Sequence, residues 1–282
     1  APLLLSYPNA KREFTELAEK RLHQQFESSY KQVNEAEGFL NDFYKDLTKP
    51  TALLELKFLD IIPGSLYLDL TELSDVAADS FSGQKGRLHL DGLTELSDAA
   101  AESLSKHEGG LCLNGLTSLS DAAAESLSKH EGEMDLDGLT ELSDAAAESL
   151  SKHGDHDGNP RRADLSLNGL TSLSDAAAES LSKHEGFLDL GGLTSLSDVA
   201  AEILSKHEGG LRLNGLSSLS DATAESLSKY RGDLYLGVLT SLSDTAAQSL
   251  TKKEPKFRSW EIKLYNLPAS AAKILRDAGH GE

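Results

Sequence analysis

The chain has 282 residues, of which 39% are hydrophobic and 26% charged but only 6% aromatic, so leucine and alanine rather than aromatic rings must build its core. Such a chain is too apolar to be disordered. A formal net charge of -19 repels phosphate backbones and anionic lipid surfaces at long range, which argues against nucleic acid and favours a protein or peptide partner, a basic one first.

The opening "APLLLSYPNAK" carries only a short apolar run, and no stretch approaches the roughly 20 residues of a membrane-spanning helix. No membrane insertion is expected, and the protein reads as soluble. Ala1 is compatible with a removed initiator Met and equally with a removed signal peptide, which leaves a cytoplasmic and an exported location open.

Residues 1–65 do not repeat and hold five of the eight phenylalanines, at 14, 26, 39, 43 and 58. Apolar residues at Phe14, Leu17, Ala18, Leu22, Phe26, Tyr30 and Val33 predict a long amphipathic helix. A second helix is predicted over 37–47, ending before Lys49-Pro50, and "ALLELKFLDIIPG" then reads as an irregular capping strand. Two uses fit such a segment: a cap over the open end of a repeat array, or a helical dimerisation or docking element.

From residue 66 the chain repeats. The first leucine of an L-x-L pair, or methionine once, falls at Leu66, Leu88, Leu111, Met134, Leu165, Leu188, Leu211 and Leu234, at spacings of 22, 23, 23, 31, 23, 23 and 23 residues. The phrase "LTSLSDAAAESLSKHEG" occurs letter for letter at 116–132 and at 170–186. A fixed period in this range marks a solenoid. In the tile "LHLDGLTELSDAAAESLSKHEG" (88–109), Leu88 and Leu90 alternate with His89 and Asp91, the period-2 pattern of a short half-buried strand. Gly92 turns the chain. Ser97 and Asp98 then read as a helix start, with a hydroxyl for the free amides and a carboxylate at the positive end of the dipole. Leu96, Ala100 and Leu104 form one apolar stripe, Lys106 and His107 follow at the negative end, and Gly109 stops the helix.

One tile alone leaves Leu88, Leu90, Leu93, Leu96 and Leu104 in water, each worth roughly 1.5 to 3 kcal/mol when buried. Stacking buries them against the same residues of the next tile. Strands stack about 4.8 Å apart and helices about 8 to 10 Å, so the stack is expected to bend with its strands inside. Eight tiles are expected over 66–261, and a degenerate ninth, "IKLYNLPASAAKIL", opens a C-terminal cap over 262–282 in which Pro268 replaces the helix-capping residue.

The spacing L-x-L-x-G-L-T-x-L-S-D-x-A-A-E-x-L-S-K-H-x-G resembles a bacterial leucine-rich-repeat family with 23-residue tiles, and the likeness covers 66 to about 280. The resemblance implies a curved α/β solenoid, with short parallel strands on the concave face and helices on the convex face, that binds a macromolecule on its sheet. The chain departs from the common leucine-rich pattern at Leu93, Leu116, Leu139, Leu170, Leu193, Leu216 and Leu239, where an asparagine or cysteine ladder would run. It departs again at Lys85, Glu108, Glu131, Glu185 and Glu208, where a leucine would precede the strand.

The long tile carries an insertion at 154–164, "GDHDGNPRRAD". Asp155, Asp157 and Asn159 present oxygen ligands at alternate positions, a faint likeness to the start of a calcium loop. No glycine follows at the sixth position and no glutamate closes it, so a solvated loop is the expectation and no metal or other cofactor is predicted.

Every regular tile contains Ser, Asp and His, which invites a hydrolase reading. Ser97 and His107 lie at opposite ends of one helix, about 15 Å apart at the helical rise, so no hydrogen bond joins them and no enzyme is expected. The column His107, His130, His153, His184 and His207 is expected at helix spacing, near 10 Å from ring to ring, as a set of dipole-complementing caps. Cys112, the only cysteine, rules out an internal disulfide and is expected to point outward as an exposed thiol.

What varies between tiles is the outward-facing strand position and its neighbours. Tyr67, His89, Asp135, Asp189, Arg212 and Tyr235 occupy the centre of L-x-L. Arg87, Glu133, Phe187 and Asp233 precede the strand, and Asp91 and Asp137 follow it. Drift on a solvated sheet and selection for recognition both produce such variety. The expectation is a non-enzymatic scaffold that binds a protein or peptide through these concave-face residues; the alternative is a structural spacer or oligomerisation module acting through the N-terminal helices.

Overall fold

A computed structural model of the chain describes residues 65–68, 70–82, 85–154, 164–252 and 262–280. The helices expected before residue 65 and the loop residues Asp155, Asp157 and Asn159 lie outside the described residues. Eight two-residue strands run in one parallel sheet in chain order: β1 Leu66–Tyr67, β2 Leu88–His89, β3 Leu111–Cys112, β4 Met134–Asp135, β5 Leu165–Ser166, β6 Leu188–Asp189, β7 Leu211–Arg212 and β8 Leu234–Tyr235. Each strand begins on the leucine or methionine that the repeat marks. Leu88 stands opposite Leu111, and Met134 opposite Leu165, so the insertion leaves the register of the sheet intact. The strands are short because only two rungs join each pair. Leu88 donates its N–H to Gly110 O at 2.8 Å, and Leu90 donates to Cys112 O at 2.8 Å.

Each strand turns into a short helix: α1 Asp75–Ser80, α2 Asp98–Leu104, α3 Asp121–Leu127, α4 Asp144–Leu150, α5 Asp175–Leu181, α6 Asp198–Leu204, α7 Asp221–Ser228 and α8 Asp244–Leu250. The expected serine caps are present and do a second job. Ser143 Oγ accepts the Ala146 N–H at 2.9 Å and donates to Asp121 Oδ1, the first helical residue of the preceding tile, at 2.5 Å. The same Ser-to-Asp link recurs at Ser97–Asp75, Ser120–Asp98, Ser174–Asp144, Ser197–Asp175, Ser220–Asp198 and Ser243–Asp221. One dipeptide therefore caps its own helix and ties it to its neighbour.

A single hydrophobic core runs through the described tiles, built from the strand leucines, the turn leucine and two alanines with one leucine of each helix, as in Leu88, Leu90, Leu93, Ala100, Ala101 and Leu104. Leu96, expected to bury with them, stays partly exposed at the rim, as do Leu119, Leu142, Leu173 and Leu196. Their counterparts Leu219 and Leu242 are buried, next to an extra bridge between Ser218 and Ser241. The turn glycine is sterically required: a Cβ at Gly138 would sit 2.2 Å from Asn114 O and 2.5 Å from Leu116 O. Where the last tile has Val238 instead, the turn bond from Leu239 N–H to Leu236 O lengthens to 3.5 Å, against 3.1 Å at Leu139.

The ninth copy forms no strand at Ile262. A 3-10 turn at Leu264–Asn266 leads to helix α9, Ala269–Asp277, whose N-cap is Pro268 and makes no side-chain cap bond. Ile262, Leu264, Ala271 and Leu275 join the common core. The molecule over its described residues is an α/β repeat solenoid. None of its described helices is long and apolar enough to cross a membrane.

Candidate functional site

The side chains between the two leucines of each strand point away from the core onto the inner sheet face. They do not stand as isolated letters. Arg87 precedes β2 and lies across Gly110, where a Cβ would come within 3.2 Å of its Cγ. From there its Nη1 donates to Glu133 Oε2 and its Nη2 to Asp135 Oδ2, both at 2.6 Å, two tiles further along. Its Nε donates to Cys112 Sγ at 3.0 Å. The fork is half exposed, so about 1 kcal/mol is a fair measure of its strength, but it orders three tiles' worth of surface.

Cys112 is thus 1% exposed, not the outward thiol expected. The strand does aim it at the inner face, and the long Arg87 side chain covers it from 25 residues away. Burial pushes its thiol up to about 12, so it is inert as a nucleophile near neutrality.

Towards the C-terminal end the face becomes aromatic. Phe187 lies over Gly210, whose added Cβ would meet its ring at 2.4 Å. Phe187 and Tyr235 meet edge to face with centroids 5.8 Å apart, and the Arg212 guanidinium sits 5.1 Å from one ring and 5.4 Å from the other. Arg212 Nη1 also donates to Asp189 Oδ2 at 2.5 Å. Asp189, expected as an open contact, is 6% exposed, and burial raises its carboxyl above the ordinary range. At the other end Tyr67, 49% exposed, stacks on His89 at 3.9 Å, and His89 Nδ1 lies 3.5 Å from Asp91 Oδ2.

The residues after the second leucine are structural. Asp91 accepts the Asn114 N–H at 3.1 Å, Asn114 the Asp137 N–H at 3.0 Å, Asp137 the Asn168 N–H at 2.9 Å, and Asn214 the Gly237 N–H at 2.7 Å. Leucines occupy the column where the leucine-rich pattern would place its ladder, and this chain runs a ladder two residues earlier. Each such oxygen satisfies a turn amide of the following tile. Asp91 and Asp137 were expected only as contacts for a partner.

Between the ends lies an acidic zone. Glu133, Asp135 and Asp164 share it, and Asp164, half buried, is raised first by desolvation and then by the other two charges. Arg87 cancels part of this charge. Asp233 precedes β8 and is partly exposed.

The histidine column departs furthest from expectation. His107, His130, His153, His184 and His207 are 0–2% exposed, and their rings stack in parallel at 6.1, 5.9, 6.1 and 6.4 Å, not near 10 Å. The buried rings stack more tightly than the 8 to 10 Å usual between packed helices. This intermediate spacing, wider than strand spacing and narrower than helix spacing, fits a stack bent with its sheet inside. His107 Nδ1 lies 3.1 Å from Phe81 O and Nε2 lies 2.8 Å from Gly86 O, so the ring faces two carbonyls of the preceding tile and, when neutral, donates to one of them rather than capping its own helix. Ser97, the other half of the hydrolase reading, is engaged by Ala100 N–H and Asp75. Among the described residues no three His, Cys, Asp or Glu side chains converge on a metal position.

These features define a repeat solenoid of strand-helix tiles with a chemically varied inner sheet face. No family model and no curated protein matches the chain.

Proposed function

We propose that this chain is a non-enzymatic, leucine-rich-repeat-like scaffold that holds a protein or peptide on its inner sheet face, with a basic segment as the partner. One observation carries the reading: chemical variety is concentrated on that face and organised there into cross-tile groups. The Arg87 fork spans tiles that are 25 to 48 residues apart in sequence, and Phe187, Arg212 and Tyr235 form one aromatic and cationic cluster. By contrast the helix surface repeats one motif, with Glu–Lys pairs such as Glu102–Lys106, Glu148–Lys152 and Glu179–Lys183. Preorganised aromatic and arginine side chains are what protein-binding surfaces concentrate at their centres. The excess of carboxylates around Glu133 and Asp164, on a chain of net charge -19, sets the sign of the partner.

The test compares proteins retained from source-cell extract by three baits. These are the wild type, an inner-face variant (Glu133→Lys, Asp233→Lys, Tyr235→Ala) and a helix-face variant (Glu102→Lys, Glu125→Lys, Glu202→Lys). Asp137 and Asp189 are left alone because they hold the ladder and Arg212. A basic protein kept by the wild type and the helix-face variant but lost from the inner-face variant is the expected result. Equal retention by all three removes the inner face as the binding surface.

A further inference from the structure

The histidine column belongs to no part of the proposed binding surface, yet it is the longest run of buried ionisable groups among the described residues. Five imidazoles lie in parallel about 6 Å apart with almost no access to water. Their surroundings offer few compensating charges. His107 faces Phe81 O and Gly86 O, with Glu108 nearby. His130 faces the Gly109 and Glu133 backbone, and His153 the Gly132 backbone. His207 faces backbone at Ser182, Gly186 and Gly210. Otherwise the rings face one another, and at the C-terminal end Tyr230, which has Asp233 beside it. A proton added anywhere in the column is therefore buried, and a second proton on the next ring adds repulsion between like charges.

We propose that the column is an acid-sensitive latch: in mildly acidic surroundings the stacked, buried rings refuse the protons that the same histidines bind once the tiles part, so acid favours the parted state and dismantles the inner sheet face. Tyr230 shows what the stack needs and what it does not. It takes the same place in its tile, stacks on His207 at 6.3 Å with 12° between the planes, and donates its hydroxyl to Gly209 O at 2.5 Å. A tyrosine thus supplies ring and hydrogen bond without a basic nitrogen. The stack tolerates it, so the histidines are not dictated by packing alone.

The direction follows from linkage. Burial lowers His130 to about 4 and His153 to about 3 from an ordinary 6.5, and lowers His107 and His207 in the same sense. Below pH 6.5 the unfolded chain binds protons that the folded stack refuses, so stability falls as pH drops and levels off only when the folded rings protonate. From pH 6.5 to 5 each refusal raises the unfolding constant about 15-fold, or about 240-fold for His130 and His153 together. Asp164 and Asp189, whose carboxyls are held above the ordinary range, take up protons in the folded state and act in the opposite sense.

Urea unfolding followed by circular dichroism at pH 7.5, 6.5 and 5.0 tests this on the full chain and on His130→Tyr/His153→Tyr. The wild type is expected to lose stability by about that factor between pH 6.5 and 5, and the variant to lose far less. The same pH dependence in both proteins overturns the latch. A second measurement needs no variant: in the folded wild type at pH 5 the ring Cε1 protons of the column are expected to keep their neutral chemical shifts. Rings that titrate near pH 6.5 while the fold persists refute it equally.

Discussion

Cys112 shows how a single residue's chemistry is set by a neighbour far along the chain. Its strand position predicts exposure, and the side chain of Arg87 reverses that by lying over Gly110 and bonding to the thiol. Reactivity follows the thiolate fraction. With the thiol moved from 9.0 to about 12, native Cys112 is expected to react with an aromatic disulfide reagent at pH 8 at least about thirtyfold more slowly than the urea-unfolded chain, the loss of thiolate being partly offset by the greater nucleophilicity of a more basic thiolate. Stopped-flow absorbance measures both rates, and comparable values would mean that Arg87 does not cover the sulfur. Asp189 follows the same rule, since its burial comes with the Arg212 bond.

At the level of one strand-helix unit, the Ser-Asp pair does most of the local work. The serine satisfies a helix amide and also grips the aspartate of the tile before it, so its loss is felt on both sides of an interface. Ser143→Ala is expected to cost about 1 to 2 kcal/mol, at the upper end for a lost cap, read as a lowered urea midpoint at unchanged m-value. A cost below about 0.3 kcal/mol would show that solvent replaces both bonds. The capping role was plain from spacing, because Ser and Asp recur just before an apolar helical stripe. The bond to the preceding tile was not, because it depends on how far one tile is displaced from the next.

Across the whole molecule, stability is a sum of tile and interface contributions, since each tile packs chiefly on its two neighbours. Removing 88–110, one full period, brings Leu66 opposite Leu111 and restores the register. The shortened protein is expected to fold with its far-ultraviolet spectrum intact and an m-value lower by about one-eighth, in proportion to the surface lost. An unfolded product would show that the stack depends on long-range contacts that neighbouring tiles do not supply. Two described contacts reach past a nearest neighbour, the Arg87 fork from β2 to β4 and the Phe187–Tyr235 ring pair from the tile of β6 to β8.

Read as a string, the chain determines its period, the start of every strand, the serine caps, the leucine and alanine core and the α/β solenoid. Each of these depends on residues a few positions apart or on repetition at one fixed distance, and both are visible in one dimension. Tertiary structure alone decided the 6 Å histidine stack, the covered Cys112, the shifted Asp and Asn ladder and the grouping of Phe187, Arg212 and Tyr235. Those depend on the pitch between tiles at a given depth, which is about 6 Å at the histidines, between the spacings usual for strands and for packed helices. A column of letters specifies which side chains face each other; only the pitch decides whether they touch.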